Sequence, residues 1–323
     1  MANVANSLKL IFCGTPQFAV PTLEALLGAG HEVALVVSQP DRPVGREHQL
    51  AAPAVKQVAR AAGLTVTQPE KIRSNAEFRA QLEAIAPDAI VVVAYGRIIP
   101  PWMLALPRLG CINLHGSLLP RYRGAAPIQW AVAMGDAFTG NTTMLLEEGL
   151  DTGAILLQQT IEIGSEQTAA ELFPVMAKAG APLVVESLAG LANGTIQPQP
   201  QNHEEATFAP LLDREDGRMD FAKRTASELY NRWRGFQPWP GAFTTLSGKK
   251  LLVHRMALAG SGYAAGLGIA EPGRIRIDDT RMLVACAANT WLKFEEVQLE
   301  GKKRLEAAEF LRGNPLHADT RLG

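Results

Sequence analysis

Ala89-Ile90-Val91-Val92-Val93-Ala94 is the stretch on which the fold turns. An isoleucine followed by three valines gives a β-branched run suited to a pleated strand. It does not alternate with polar residues, so both faces are buried, as in the middle of a parallel sheet. Working outward, apolar runs and helical patterns take turns. Leu8 to Cys13 reads as a strand ending in the turn Gly14-Thr15-Pro16, and Phe18 to Leu27 as a helix stopped by Gly28 and Gly30. Val33 to Val37 is a strand, followed by a loop from Ser38 to Leu50 and a helix from Pro53 to Ala62. Leu64 to Thr67 is a short strand, Asn75 to Ile85 a helix, and Gly110 to Leu114 a further strand. This order predicts right-handed βαβ units and a mostly parallel sheet. Ligands of such sheets bind beyond the carboxyl ends of the strands. That rule points to residues 14–16, 38–46, 95–96 and 115–124.

Thr142 to Leu146 and Ala154 to Ile163 add two strands. Ala169 to Leu191 reads as one helix or two, with Pro174 and Gly180 as candidate breaks. From Asn193 to Pro210 the apolar period disappears among Gly, Pro, Gln and Asn, the texture of an extended linker. Beyond it, Asp220 to Trp233 looks helical. Gly241–Leu246, Lys250–Met256, Arg274–Ile277, Met282–Ala287 and Trp291–Leu299 look like strands, and Leu305–Leu311 like a final helix. Short strands at this density suggest a small closed barrel of OB-like Greek-key type. The expected architecture is α/β: a Rossmann-like, mostly parallel sheet over residues 1–193, a linker over 194–210, and an OB-like β-barrel over 211–323.

The length of 323 residues fits about two domains. A net charge of −1 excludes a strong overall basic field. Residues 207–323 nevertheless carry 18 Lys and Arg against 14 Asp and Glu, a weak pointer to a polyanionic partner. Cys13, Cys111 and Cys286 are far apart and contain no Cys-x-x-Cys, which argues against a disulfide framework and a structural zinc site. The other histidines (His31, His48, His203, His254, His317) lack metal-ligand spacing, so no metal is expected. The opening residues lack a signal-peptide pattern, and uninterrupted apolar runs fall far short of the ~20 residues that span a bilayer. A cytoplasmic protein without a membrane segment is expected.

The chemistry concentrates in Cys111 to Pro127. Asn113 and His115 alternate on one extended run, so their side chains project to the same side. An amide donor beside an imidazole suits a site where negative charge develops on an oxygen. The same residues could equally be a turn cap and an ordinary hydrogen-bonded histidine. Downstream, Glu147-Glu148-Gly149-Leu150-Asp151-Thr152-Gly153 lies between two strands and offers either a plain turn or a carboxylate for His115. Ser117 lies near His115, but the nucleophile elbow Gly-x-Ser-x-Gly is missing. The first βα turn, Gly14-Thr15-Pro16-Gln17-Phe18, is not a dinucleotide fingerprint, and no P-loop is present.

Asn113-Leu114-His115-Gly116-Ser117-Leu118-Leu119-Pro120, with Arg-Gly-Ala-Ala-Pro-Ile at 123–128 and Gly-Leu-Asp-Thr-Gly at 149–153, resembles the formyltetrahydrofolate-dependent formyltransferase superfamily. The segments at 12–16, 39–43, 92–96 and 238–241 narrow the resemblance to the branch acting on methionyl-initiator tRNA. It runs from about residue 8 to the C-terminus. The resemblance implies transfer of the formyl group of 10-formyltetrahydrofolate to the α-amino group of the charged methionine, in service of translation initiation. It implies that Asn113 and protonated His115 hold the oxyanion, that Asp151 orients His115, and that Ser117, Leu118, Leu119 and Pro120 bind the folate. It also implies that Arg42 and Arg46, on the loop after the second strand, meet the tRNA together with the C-terminal barrel, and that the enzyme is a monomer. Glu47, His48 and Gln49 stand where relatives often carry lysines. Barrel candidates for phosphate contact are Lys249, Lys250, Arg255, Arg274, Arg276, Lys302, Lys303 and Arg304, while Trp233, Trp239 and Trp291 are expected to pack. Competing readings are a nucleotide-sugar formyltransferase, a formyltetrahydrofolate hydrolase, and a non-catalytic nucleic-acid-binding module.

Overall fold

The computed structural model describes residues 7–44, 49–317 and 319–323. The chain parts into two compact units, one of residues 1–127, 138–162 and 171–210, the other of 128–137, 163–170 and 211–323. The division expected from sequence runs along the chain. The contacts instead join 128–137 and 163–170 to the C-terminal part, and 194–210 to the first unit.

In the first unit the strands are β1 (Lys9–Gly14), β2 (Glu32–Val37), β3 (Arg42–Val44), β4 (Gln49–Ala51), β5 (Val66–Thr67), β6 (Ala89–Val93), β7 (Cys111–His115), β8 (Phe138–Leu145) and β9 (Ile155–Glu162). Among the described residues, seven of them form one sheet in the order β5-β2-β1-β6-β7-β8-β9. β6 is buried at every position and lies between β1 and β7, as its unbroken β-branched run requires. β5, β2, β1, β6 and β7 run parallel; β8 is antiparallel to β7, and β9 to β8. The connections carry α1 (Val20–Gly28), α2 (Ala54–Ala61), α3 (Ala76–Ile85), α4 (Pro101–Leu104) and α5 (Pro127–Ala133). α3 begins where Asn75, as its N-cap, accepts a hydrogen bond from the Phe78 N–H.

The structure adds α4 and α5 to the expected elements, revises one stretch and settles another. The stretch read as a loop from Ser38 to Leu50 contains the β3–β4 hairpin, too short and polar to show a period. The stretch read as one helix or two is a single helix, α6 (Ala169–Asn193), running through Pro174 and Pro182. Its stripe of Leu172, Met176, Ala181, Val184 and Leu188 is buried, which outweighs the backbone bonds each proline forfeits. Gly180 is no break: a Cβ there would come 2.7 Å from Leu114 Cδ2, so glycine permits close approach to β7. α6 is long and apolar enough to cross a membrane by composition, although no uninterrupted apolar run was; half of its apolar window is buried inside the protein, as in a core helix.

The second unit contains α7 (Ala226–Gly235), β10 (Ala242–Leu246), β11 (Lys249–Leu258), α8 (Ser261–Leu267), β12 (Ile275–Asp278), β13 (Arg281–Cys286), β14 (Thr290–Leu299), β15 (Leu305–Glu306) and α9 (Ala307–Gly313). α7 starts six residues later than the apolar pattern suggests, because Thr225 and Glu228 form a reciprocal capping box. The strands are ordered β10-β11-β14-β13-β12, with β15 on β14, and every pair is antiparallel. Closure comes from the last residues: Leu322 bridges Leu246 on β10, and Arg321 bridges Arg274 at the start of β12. The two edges are thereby joined, which supports the OB-like barrel. Leu251, Val253, Met282, Leu292, Phe294 and Val297 fill it. In the same unit, Arg234 is buried and donates to the carbonyls of Gly164 and Gln167 at 3.0 and 2.7 Å. Trp291 is buried as expected, whereas Trp239 is 55% exposed and packs little.

Candidate active site

β7 delivers Asn113 and His115 to the same side of the sheet, His115 at the strand's carboxyl end. His115 is only 6% exposed. Its Nε2 lies 2.9 Å from the Tyr122 carbonyl oxygen. A carbonyl can only accept, so Nε2 carries a hydrogen. Nδ1 lies 3.7 Å from Asp151 Oδ2. The ring therefore stands between the carbonyl it donates to and the carboxylate of Asp151. No hydrogen-bond partner for the Asn113 side-chain amide is present among the described residues, which leaves its donors available.

Asp151 reaches this place by an indirect route. β8 ends at Leu145, opposite Ile112, three residues before His115. The connection 147–153 must then fold back along β7. Asp151 sits in it with a left-handed backbone (φ 52°), and its Oδ2 accepts the Gly124 N–H at 2.8 Å. Glu147 and Glu148, in the same connection, are exposed. The structure thus brings Asn113, His115 and Asp151 together, although they come from separate stretches of chain.

The turn 117–120 is shaped from beneath. Ser117 is fully buried, and its hydroxyl donates to the Arg121 carbonyl at 2.6 Å, so it does not serve His115 as a nucleophile would. Thr142 Oγ1 donates to the Ser117 carbonyl at 2.6 Å and accepts the Leu119 N–H at 3.1 Å. Gln158 on β9 donates to the Leu119 carbonyl at 2.9 Å. Ser117 and Leu119 face inward, while Leu118 and Pro120 are the partly exposed members. Thr142 and Gln158 were invisible as site residues, since nothing local marks a strand threonine or glutamine as a turn support.

Beyond the other strand ends, Thr15 and Gln39 both donate to the Tyr95 carbonyl, at 3.1 and 3.2 Å, and Arg97 Nε donates to Gln39 Oε1 at 3.1 Å. Arg42 is exposed on β3. Arg46 lies outside the described residues. The foot of the hairpin is fixed by Asp41, both oxygens of which lie 2.7 Å from the buried Lys56 Nζ, with Gln68 donating to Oδ1 at 2.8 Å. The Lys56 hydrogen bond, then that of Gln68, holds the Asp41 carboxyl below its ordinary value of 3.8. A group depressed in this way stabilises the fold above that ordinary value, and its contribution is lost as pH falls through the lower folded value. Lys56→Met is expected to move the Asp41 midpoint back up, read by carboxyl carbon titration; an unmoved midpoint would deny Lys56 this role.

In the barrel, several candidate phosphate contacts are engaged with carboxylates: Arg255 with Glu295, Glu296 and Glu306, Arg304 with Glu296, Lys303 with Glu309, and Arg274 with Asp319. Among the described residues, no group of three or more His, Cys, Asp and Glu could hold a metal ion. All three cysteines are free and buried.

A sheet of this topology, ending in a paired amide and imidazole with a carboxylate folded back upon them, has the form of an acyl-transfer centre. The chain belongs to the formyl transferase family: residues 8–188 match the model "Formyl transferase" and 211–315 the model "Formyl transferase, C-terminal domain". Within the family it is similar to the methionyl-tRNA formyltransferases. That of Acidobacterium capsulatum is 66% identical over 316 residues, covering 98% of this chain and 100% of that protein. That of Koribacter versatilis is 56% identical, covering 97% and 98%. The resemblance read from the sequence, including its branch, is borne out at full length. Among solved structures, the N-formyltransferase from Helicobacter canadensis in complex with folinic acid and dTDP-3-aminofucose has a TM-score of 0.64 at 17% identity, covering 89% of this chain and 98% of that one. HypX from Aquifex aeolicus in complex with tetrahydrofolic acid has a TM-score of 0.60 at 17% identity; the match covers 95% of this chain but 47% of HypX. These two share the fold.

Proposed function

We propose that this chain moves the formyl group of 10-formyltetrahydrofolate to the α-amino group of methionyl-initiator tRNA. The observation that carries the reading is the convergence of Asn113, His115 and Asp151, with Asp151 Oδ2 3.7 Å from the ring of His115. As the amine attacks the formyl carbon, charge gathers on the formyl oxygen. Asn113 is the standing donor for it, its amide having no partner among the described residues. Nε2 of His115 is already given to the Tyr122 carbonyl, so the imidazolium reaches the oxygen only by releasing that bond. Asp151 balances the imidazolium charge and helps draw the proton lost by the amine toward the leaving nitrogen. Leu118 and Pro120 offer the folate an apolar edge, while Ser117 and Leu119 hold the turn. Arg42, on its anchored hairpin, and the barrel are the elements offered to tRNA.

The full-length similarity to methionyl-tRNA formyltransferases favours this reading over a sugar formyltransferase or a hydrolase. Incubation with the formyl donor and charged initiator tRNA should yield formylmethionine on the tRNA. Turnover of an amino sugar, or release of formate to water with no product on the tRNA, would overturn it.

A further inference from the structure

The segment 194–210, whose composition reads as a linker, enters the candidate site. Gln199 exchanges two backbone bonds with Ile155, both 2.8 Å, and residues 207–209 pair with 122–126. Between these anchors lies Gln201, 6% exposed. Its Nε2 donates to the carbonyls of Asp151 and Gly153, at 2.9 and 2.7 Å. Its Oε1 accepts from Arg123 Nε and Nη2, at 3.1 and 2.6 Å. Arg123 is itself buried, and its Nη2 also meets His203 Nδ1 at 3.0 Å. Arginine only donates, so that ring nitrogen accepts.

Every hydrogen-bonding capacity of the Gln201 amide is thus used, two donated and two accepted. Only a carboxamide offers both in one plane. Glutamate would lack the donors, and leucine would lack everything. The two carbonyls it holds belong to Asp151, whose left-handed backbone persists only where its surroundings fix it, and to Gly153, at the end of the same fold-back connection. The neighbouring Gly124 N–H, one residue from Arg123, holds the Asp151 carboxylate. The backbone and the carboxylate of Asp151 are therefore both secured to the 123–124 segment, the backbone through Gln201.

We infer that Gln201 is a positioning residue for the formyl-transfer site: it sets Asp151 against His115 from the segment that joins the two halves of the chain. This rests on the catalytic reading of Asp151, and the test separates the two. Gln201→Glu keeps one oxygen as the acceptor for Arg123, while it removes both donors and turns the other carboxylate oxygen toward the two carbonyls. A displacement of ~1 Å at a reacting group can cost about 100-fold in rate. Q201E is expected to lower kcat by about 10- to 100-fold with little change in KM for either substrate, which marks loss of an interaction used in the transition state. Because Gln201 acts through Asp151, the same change made in a D151A background should cost nothing further. Equal losses in both backgrounds, or an unaffected kcat in the wild-type background, would overturn the inference. Should D151A alone leave the rate intact, the catalytic reading of Asp151 fails. The ring-nitrogen resonances of His115 in the free protein then still decide on Gln201: Q201E and D151N should shift them alike, and an unmoved signal in Q201E refutes the positioning.

Discussion

His115→Ala is expected to lower kcat by about 10³-fold, well beyond what its effect on folding explains. Loss of a single oxyanion donor commonly costs ~10²–10³. On the proposed reading His115 supplies such a donor and also carries the charge that Asp151 balances, so the upper end of that range is the natural expectation. Because the ring is buried and its Nε2 donates to the buried Tyr122 carbonyl, its removal also costs stability, about 1–3 kcal/mol for an acceptor left unpaired, so kcat is read at a temperature where the variant is folded. Single-turnover formylation separates the chemical step from tRNA binding. A kcat within a few fold of wild type would remove His115 from the mechanism.

The second large effect is predicted at a residue that touches nothing reactive. A Cβ on Gly153 would lie 1.8 Å from the Leu145 carbonyl oxygen, a rigid backbone atom in the last residue of β8. Neither the strand nor the fold-back connection can yield without moving the other. Overpacking costs typically ~1–3 kcal/mol and occasionally more, and a clash with backbone belongs at the upper end. Gly153→Ala is expected to lower stability by about 3 kcal/mol and to displace Asp151 two residues away. Denaturant unfolding measures the first consequence, and kcat at a temperature where the variant remains folded measures the second. An unchanged unfolding midpoint with normal activity would show that the connection adapts.

How much of this was legible in the sequence depends on whether the signal was local. The β6 run and the three helices after β1, β2 and β5 are decided by neighbours in sequence, and they were read correctly. Asn113 and His115 are two residues apart on one strand, so their shared orientation follows from strand geometry alone. Asp151 is different. Its meeting with His115 needs the connection to turn back after Leu145, and no spacing rule reveals that; the family motif supplied it. Gln201 had no signal at all, since a glutamine among Gln, Pro and Asn is what a spacer looks like. The β3–β4 hairpin was missed because strand pairing overrode a contrary local preference at Pro43, and α6 was left open between one helix and two because burial alone decides against breaks at Pro174 and Pro182.

Arg234 and its hold on Gly164 and Gln167 bear on any attempt at building chimeras. A fragment begun at residue 211 would abandon both carbonyls and leave the buried guanidinium with Asn231 Oδ1, 2.7 Å from Nη2, in place of three acceptors. It would also lose the stretch around Gln129 and Ala133, against which Gly235 is pressed so closely that a Cβ would come 2.6 Å from the Gln129 carbonyl oxygen. A transplantable module must therefore carry these short inserts with it, and a graft cut at a single junction would be unstable however cleanly that junction was chosen.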